Sequence, residues 1–453
     1  MEQKKRERFG TKLGLFTAAV GSAIGLGNIW KFPYLVGENG GAAFLLVYLV
    51  CVFLIGMPIM LGEFAIGRRG QGSAVKSFEN VSPKKAWKYN GLLNTVAAFI
   101  ILSFYSVITG WVFSYITRSF SGKFNSIPIG ELSNYFGHVS GSLDPLLWTA
   151  VVLALTCFVV MMGVKKGIER CSKILMPFLF VLLVVLMVRS LTLDGASAGV
   201  SFLFKPDFSK LTMNSFLEAL GHSFYTLSLA MGITITFGSY TKKEENLMSM
   251  SAKITVTDTA IALMAGMVIF PAVFAYGLEP SAGAKLLFVT IPAVFKGMPM
   301  GNAFQTLFFI LVAIAAVTST IALMEVIVSA ISEQYGMSRK KTSFLVTMGL
   351  YMLAIPSVLS FGAWSGVKIF GLTFFDLFDF IASNIMLPVG GFLTCVFIGW
   401  VWKTEEFEDE VTSGGMFKFT VKKVYNFIMK YLAPVIIIVI FLNTTGLLKI
   451  IFK

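Results

Sequence analysis

The chain has 453 residues and a net charge of +13, with 56% hydrophobic and only 13% charged residues. Soluble domains carry about twice that share of charge, so the composition excludes a water-soluble globular protein. It also weakens the nucleic-acid reading that a basic excess invites, because the positive charge is confined to alternate loops.

Apolar stretches long enough to cross ~30 Å of hydrocarbon follow one another along the chain. Eleven are read, at 12–36, 42–66, 90–117, 147–163, 170–189, 214–238, 252–278, 303–332, 343–360, 373–402 and 428–448. The first opens after a charged stretch, lacks a small-residue cleavage site and runs on into further spans, so it is expected to remain rather than be removed as a signal. The N-terminus through Lys12 and the loops 67–89, 164–173, 239–253, 334–342 and 403–430 hold 26 of the 37 Lys and Arg. The positive-inside rule then places the N-terminus in the cytoplasm and, after eleven spans, the C-terminus outside. No loop is long enough for a soluble domain, so 1–453 is read as a single membrane domain, all-α and polytopic, with a cytoplasmic N-terminus at 1–11. Cys51, Cys157, Cys171 and Cys395 lie in or beside spans without a close pair or a zinc spacing, and are read as small apolar fillers.

Two spans look broken. The first reads TAAVGSAIGLGNIWKFP, with Gly21, Gly25 and Gly27 close together; the sixth reads GHSFYTLSLAMGITITFG, where Thr226, Ser228 and Gly232 interrupt the apolar run. A glycine in a helix interior costs about 1 kcal/mol, and backbone groups left unsatisfied in hydrocarbon cost several kcal/mol each. Such segments persist only where the backbone finds another partner. Because the breaks lie five spans apart, an odd offset, spans 1–5 (12–190) and 6–10 (214–402) form two halves of opposite orientation, with the eleventh helix at 428–453 outside the repeat. Interrupted segments at matching positions of inverted halves point to the binding site of a secondary transporter. Gly21-x-x-x-Gly25 alone also fits a helix-packing motif, but such a motif does not need Asn28, Lys31 and Pro33 behind it.

The stretch GSAIGLGNIWKFPY followed by ENGGAAF closely resembles the first-helix signature of the neurotransmitter:sodium symporter family. The sixth-span FYTLSL and the eighth-span AAVTSTIAL match as well, and the resemblance covers the whole chain in order. It implies a 5+5 inverted repeat with helices 1 and 6 unwound in mid-membrane, in a bacterial member sitting in the inner cell membrane. It further implies two Na⁺ sites. The first is expected to use the Ala23 carbonyl, Asn28, Thr226, the substrate carboxylate and Asp258, which stands where the family often has Asn. The second is expected to use carbonyls of Gly21, Ile24 and Ala315 with the hydroxyls of Thr318 and Ser319. An intramembrane carboxylate is functional by default. A fixed negative charge at Asp258 predicts transport without chloride, since chloride-dependent relatives use a bound anion to balance the cations.

Gly25 occupies the position where monoamine carriers of the family have Asp, so the ligand is expected to bring its own carboxylate, as an amino acid does. The N–H groups of Leu26 and Gly27 at a half-helix N-terminus and the Tyr105 hydroxyl would meet it. Carbonyls around Ala23, Tyr225 and Thr226, with the Ser228 hydroxyl, would take the α-ammonium. Ile101, Tyr105, Tyr225, Met231, Ser319 and Leu323 would line an apolar side-chain pocket suited to aliphatic or aromatic amino acids. Tyr225 replaces the usual Phe, Ala230 a frequent Gly that softens the break, and His222 a Gln. If His222 lines the outer vestibule, it would give uptake a pH dependence between about pH 5 and 8.

The resemblance also implies an outer ionic gate of Lys31 and Asp379. An inner gate would pair Arg6 with Glu333, with Phe9, Ser239 and Tyr240 packed nearby. The reading is therefore a sodium-coupled importer of a neutral, hydrophobic or aromatic amino acid. Its partners are that amino acid, Na⁺ and the lipid bilayer, with no nucleic acid; its oligomeric state is not legible. The sequence shows neither a pore-lining ring of like residues nor a catalytic dyad within spans, which argues against a channel and a membrane enzyme. A non-transporting amino-acid receptor and a sodium-dependent carrier of another small carboxylated solute stay open.

Overall fold

The computed structural model describes residues 7–82, 84–278 and 285–445. Among these residues the structure is helical, and the nearest approach to a sheet is one antiparallel bridge between Ile369 and Leu372. Among the described residues nine helices are long and apolar enough to cross a membrane, and a tenth span is the pair Lys12–Ala23 and Gly27–Glu38, bent by 45° at its break. The sixth span escapes a test by length. It is divided into Met213–Thr226, of 14 residues, and Ile233–Ser239, of 7. Counted as one interrupted span, it completes the eleven read from hydropathy.

The third span (Lys85–Phe120) and the eighth (Gly301–Tyr335) are the most enclosed, and their side chains face protein along most of their length. The first, sixth and seventh (Leu247–Ala275) gather around them, while the fifth (Val164–Leu191), ninth (Arg339–Leu359) and eleventh (Lys422–Asn443) expose more of their apolar surface. A helix that is apolar all round shows no preferred face to a hydropathy reading. Burial in this bundle is set by neighbours rather than by periodicity.

Proline punctuates the spans in a recurrent way. Widened π-helical turns at Gly27–Lys31, Val52–Gly56, Leu286–Thr290, Phe380–Met386 and Ile428–Leu432 each end two residues before a proline, respectively Pro33, Pro58, Pro292, Pro388 and Pro434. Proline has no N–H to donate, and its ring clashes with the carbonyl four residues back. In each case the residue before the proline bonds five residues back instead, as Phe32 N–H does to the Gly27 carbonyl and Met57 N–H to Val52. The backbone stays paired, as hydrocarbon demands.

Connections between spans hold short helices that hydropathy does not reveal, at Leu132–Gly141, Ala196–Phe204 and Leu286–Lys296. Turn-forming prolines at 128, 145 and 206 bound two of them, whose apolar residues Leu132, Val139, Ala196 and Leu203 are buried.

Candidate functional site

The first span stops being α-helical at Ala23 because Ile24 turns to an extended conformation, φ −75° and ψ 97°. The freed groups find side-chain partners. Leu26 N–H donates to the Tyr105 hydroxyl at 3.0 Å, and Gly25 N–H donates to Asn28 Oδ1 at 3.2 Å. The Ser22 carbonyl accepts hydroxyl protons from Ser228 at 3.0 Å and Ser319 at 3.2 Å. Glycine is required here by space. A Cβ on Gly25 would lie 2.5 Å from Ser319 Oγ and 2.9 Å from the Tyr105 hydroxyl, and one on Gly21 would lie 3.0 Å from Met176 Sδ.

The sixth span opens from Leu227 to Gly232. Ser228, Ala230 and Gly232 all take left-handed backbone conformations, φ 55°, 57° and 73°. The first two are not glycine, so the segment is strained unless held. It is held by Glu63 of the second span, which is fully buried. Its carboxylate accepts the Ala230 N–H at 2.8 Å and the Thr234 hydroxyl through a short bond. The Asn94 amide, with its nitrogen turned to the break, donates to the Ala230 carbonyl at 3.1 Å.

Between the two breaks lies Asp258, fully buried on the seventh span. Its Oδ1 accepts from Asn28 Nδ2 at 2.8 Å, and both its oxygens lie 3.1 Å from the Thr226 hydroxyl, which donates to them. A carboxylate, an amide and a hydroxyl converge from three spans. This is an oxygen-rich set with one carboxyl group, the donor chemistry that a hard monovalent cation prefers. Behind it, Gly21 packs against Thr318, whose hydroxyl bonds the Ala315 carbonyl at 2.9 Å; Ser319 bonds the same carbonyl at 3.3 Å.

A small cavity of about 20 Å³ opens beside the breaks. Of the expected pocket residues, Ala23, Gly25, Gly27, Ile101, Tyr105, Tyr225, Ser228, Met231, Ser319 and Leu323 line it, together with Ser22 and Ile233, which had not been singled out. Leu26 contributes its backbone from the far side of Tyr105, and Thr226 turns to Asp258 instead. A second cavity of about 70 Å³ lies across Tyr225, lined also by Lys31, Asp379, Trp30, Tyr34 and Phe375. Tyr225 thus stands between the two. Lys31 and Asp379 line the same space but make no ion pair within 4.0 Å in this structure. The Lys31 ammonium lies 4.8 Å from the Tyr225 ring centroid, a cation–π arrangement.

At the basic end, Phe9 is buried edge-on against Phe237, at 5.7 Å between centroids, and Tyr240, at 6.0 Å. The Tyr240 hydroxyl donates to the buried Glu325 at 2.6 Å, and Arg339 pairs with the same carboxylate. Ser239 caps back onto Thr236 at 2.6 Å, and Glu333 accepts the Ser73 N–H at 2.7 Å. Arg6 lies outside the described residues. His222 is buried, stacked on Phe32 at 6.0 Å and tilted against Tyr48 at 5.3 Å. It lines neither cavity, so the condition for a vestibule role is not met.

Glu63 and Glu325 are the important residues that the sequence reading passed over. The signal was present, since each is a carboxylate inside an apolar run, costly unless it has a partner.

Comparison with known proteins gives a concordant result. The family model described as "SNF: Sodium:neurotransmitter symporter family" matches residues 6–130 and 131–450. A Bacillus subtilis (strain 168) protein, "Uncharacterized sodium-dependent transporter YhdH", is 39% identical over 450 residues, covering 99% of this chain and 100% of that one. An "Uncharacterized sodium-dependent transporter" of Haemophilus influenzae is 37% identical over 452 residues, 97% of this chain and 98% of the other. Among solved structures, "Crystal structure of MhsT in complex with L-phenylalanine" superposes with a TM-score of 0.90 at 45% identity, covering 97% of this chain and 100% of that one.

Proposed function

The chain belongs to the sodium:neurotransmitter symporter family and is a sodium-dependent membrane transporter rather than an enzyme; from that premise we propose that it imports a neutral amino acid with a hydrophobic or aromatic side chain. In this reading two Na⁺ accompany each substrate and chloride takes no part. The N-terminus faces the cytoplasm and the C-terminus the outside of a bacterial inner membrane.

The observation that carries the proposal is the junction of Asn28, Thr226 and Asp258 between two broken spans, beside a cavity that bears no charged side chain. A zwitterion suits such a cavity. Its carboxylate would replace the Tyr105 hydroxyl as partner of the Leu26 N–H, and would complete the first Na⁺ shell with Asn28, Thr226 and the Ala23 carbonyl. Its ammonium would meet the carbonyls of Ala23, Tyr225 and Thr226 with the Ser228 hydroxyl. The side chain would lie among Ile101, Met231 and Leu323, a wall apolar enough for an aliphatic or aromatic group. That the solved relative MhsT was captured with L-phenylalanine agrees with this choice.

The second Na⁺ would sit among the carbonyls of Gly21, Ile24 and Ala315 and the hydroxyls of Thr318 and Ser319. Two sites matter energetically. Each charge moved inward gains about 2.3 kcal/mol per 100 mV, and a tenfold Na⁺ gradient adds about 1.4 kcal/mol per ion. Two ions supply roughly 7 kcal/mol, enough for accumulation of about 10⁵-fold, whereas one supports only hundreds-fold. Access would alternate between the outer cavity, closed by Tyr225 with Lys31 and Asp379, and the basic end. There Glu333, Phe9, Ser239 and Tyr240 would form the second closure.

The test is uptake of labelled amino acids into proteoliposomes under a Na⁺ gradient, in chloride and again in gluconate. Equal Na⁺-driven uptake of phenylalanine in both media is expected. Binding without uptake would favour a receptor, and loss of uptake in gluconate would remove the chloride-independent reading.

A further inference from the structure

The basic end of the molecule carries a cleft that takes no part in the site described above. It is a space of about 440 Å³ lined by Arg8, Arg68, Arg69, Lys243, Glu244 and Glu410, among others. Arg68 is buried and fully used. Its Nε donates to Glu410 Oε1 at 2.5 Å, its Nη1 to the Glu245 carbonyl at 2.7 Å, and its Nη2 to the Glu410 carbonyl. That arginine builds the floor of the cleft by joining the end of the second span, the turn after the sixth span and the Thr404–Thr412 helix.

The remaining cations differ. Arg8, Arg69 and Lys243 make no hydrogen bond or ion pair with any described residue, although Glu244 lines the same space. Arg8 is not on a loose tail. The Glu7 carboxylate before it accepts the Val164 N–H at 2.7 Å, Phe9 after it is buried, and Gly10 N–H donates to Glu169 at 2.6 Å. Topological bias accounts for an excess of cations at this end, but not for three of them converging without partners on one roomy cleft.

We propose that this cleft binds a phosphate-bearing anion, held by Arg8, Arg69 and Lys243. Arginine forks match phosphate oxygens in a bidentate manner, and lysine adds a point charge. Four cations against two carboxylates leave the cleft with two excess positive charges, the charge that a phosphate monoester neutralises. The bound anion would tie the start of the chain to the turn after the sixth span, and so favour the closed arrangement of this end. A lipid headgroup and a free phosphate compound offer the same chemistry.

The experiment measures binding to the purified full-length chain in neutral detergent by calorimetry. The probes are inorganic phosphate, dioctanoyl phosphatidic acid and, as a zwitterionic control, dioctanoyl phosphatidylcholine. Affinity for the acidic probes is expected to fall about fivefold for each of Arg8→Gln, Arg69→Gln and Lys243→Gln, and to rise about as much for Glu244→Gln. Lys418→Gln, an exposed change outside the cleft, leaves it unchanged. With this pattern, binding of both acidic probes supports the site and shows that free phosphate suffices; binding of the lipid alone supports it with a headgroup as the source. The gain in Glu244→Gln separates electrostatic recognition from damage to the fold. No saturable binding of either acidic probe, affinities indifferent to all four cleft variants, or equal binding of phosphatidylcholine overturns the proposal.

Discussion

The two broken spans reach the same end by different routes. In the first, the backbone departs from the helix over Ile24 to Leu26, glycines provide the room, and the freed groups are taken by near neighbours such as Asn28 and by Tyr105. In the sixth, the departure runs from Leu227 to Gly232, two non-glycine residues sit at positive φ, and the segment depends on Glu63, distant in sequence. A break made by glycine is written where it occurs, whereas a break made by a buried carboxylate is written elsewhere in the chain. Both breaks spend freed N–H groups on side chains of the protein, the first on the neutral Asn28 and Tyr105 and the second on the Glu63 carboxyl group.

This contrast can be broken most forcefully at Glu63. Glu63→Ala leaves the Ala230 N–H and the Thr234 hydroxyl buried without their acceptor. At about 1–3 kcal/mol for each orphaned group, thermal unfolding of the purified protein is expected to show a loss of roughly 4 kcal/mol. A melting temperature like that of the parent would mean that the sixth-span break holds itself. Gly25→Ala probes the glycine-made break. The added Cβ meets Ser319 and Tyr105 at sub-contact distances, so overpacking of about 1–3 kcal/mol is expected, with uptake reduced more than tenfold; unchanged uptake would contradict the assignment of this cavity.

Smaller effects sharpen the comparison. Tyr105→Phe removes the acceptor of the Leu26 N–H, a stability cost of about 1 kcal/mol. In the proposed site it also removes a donor to the substrate carboxylate, so substrate affinity should fall about tenfold. A competition-binding assay reads the second effect separately from the first. Ala230→Gly relieves a left-handed alanine, worth roughly 1 kcal/mol, against a glycine entropy cost of about 0.5–1 kcal/mol. Stability is expected to stay level or rise by up to about 0.5 kcal/mol. A loss beyond that range would show that the methyl group packs usefully where it stands.

The same contrast explains how much was legible in advance. Membrane class and span order follow from long apolar runs, and Gly21, Gly25 and Gly27 mark the first break locally. The motifs around Thr226, Thr318 and Ser319 carried most of the pocket residues by resemblance. Glu63 was not singled out because a lone carboxylate in the second span gives no hint of which strand of backbone it serves. Ser22 acts through its carbonyl, which its side-chain type does not reveal. The π-helical turns follow from proline chemistry, but only the folded bundle shows that their backbone stays paired. His222 is packed between Phe32 and Tyr48, a placement that depends on two other spans.

In the proposed site, the two breaks and Asp258 hold Na⁺ and an amino acid together. The most direct measurement is equilibrium binding of labelled phenylalanine to the purified protein as Na⁺ is titrated against a constant total of choline and Na⁺. The account predicts that binding requires Na⁺, with a Hill coefficient rising toward ~2 for two ions, and that Asp258→Ala lowers the Na⁺ affinity. Phenylalanine binding that is indifferent to Na⁺, or a Na⁺ dependence unchanged in Asp258→Ala, would contradict it.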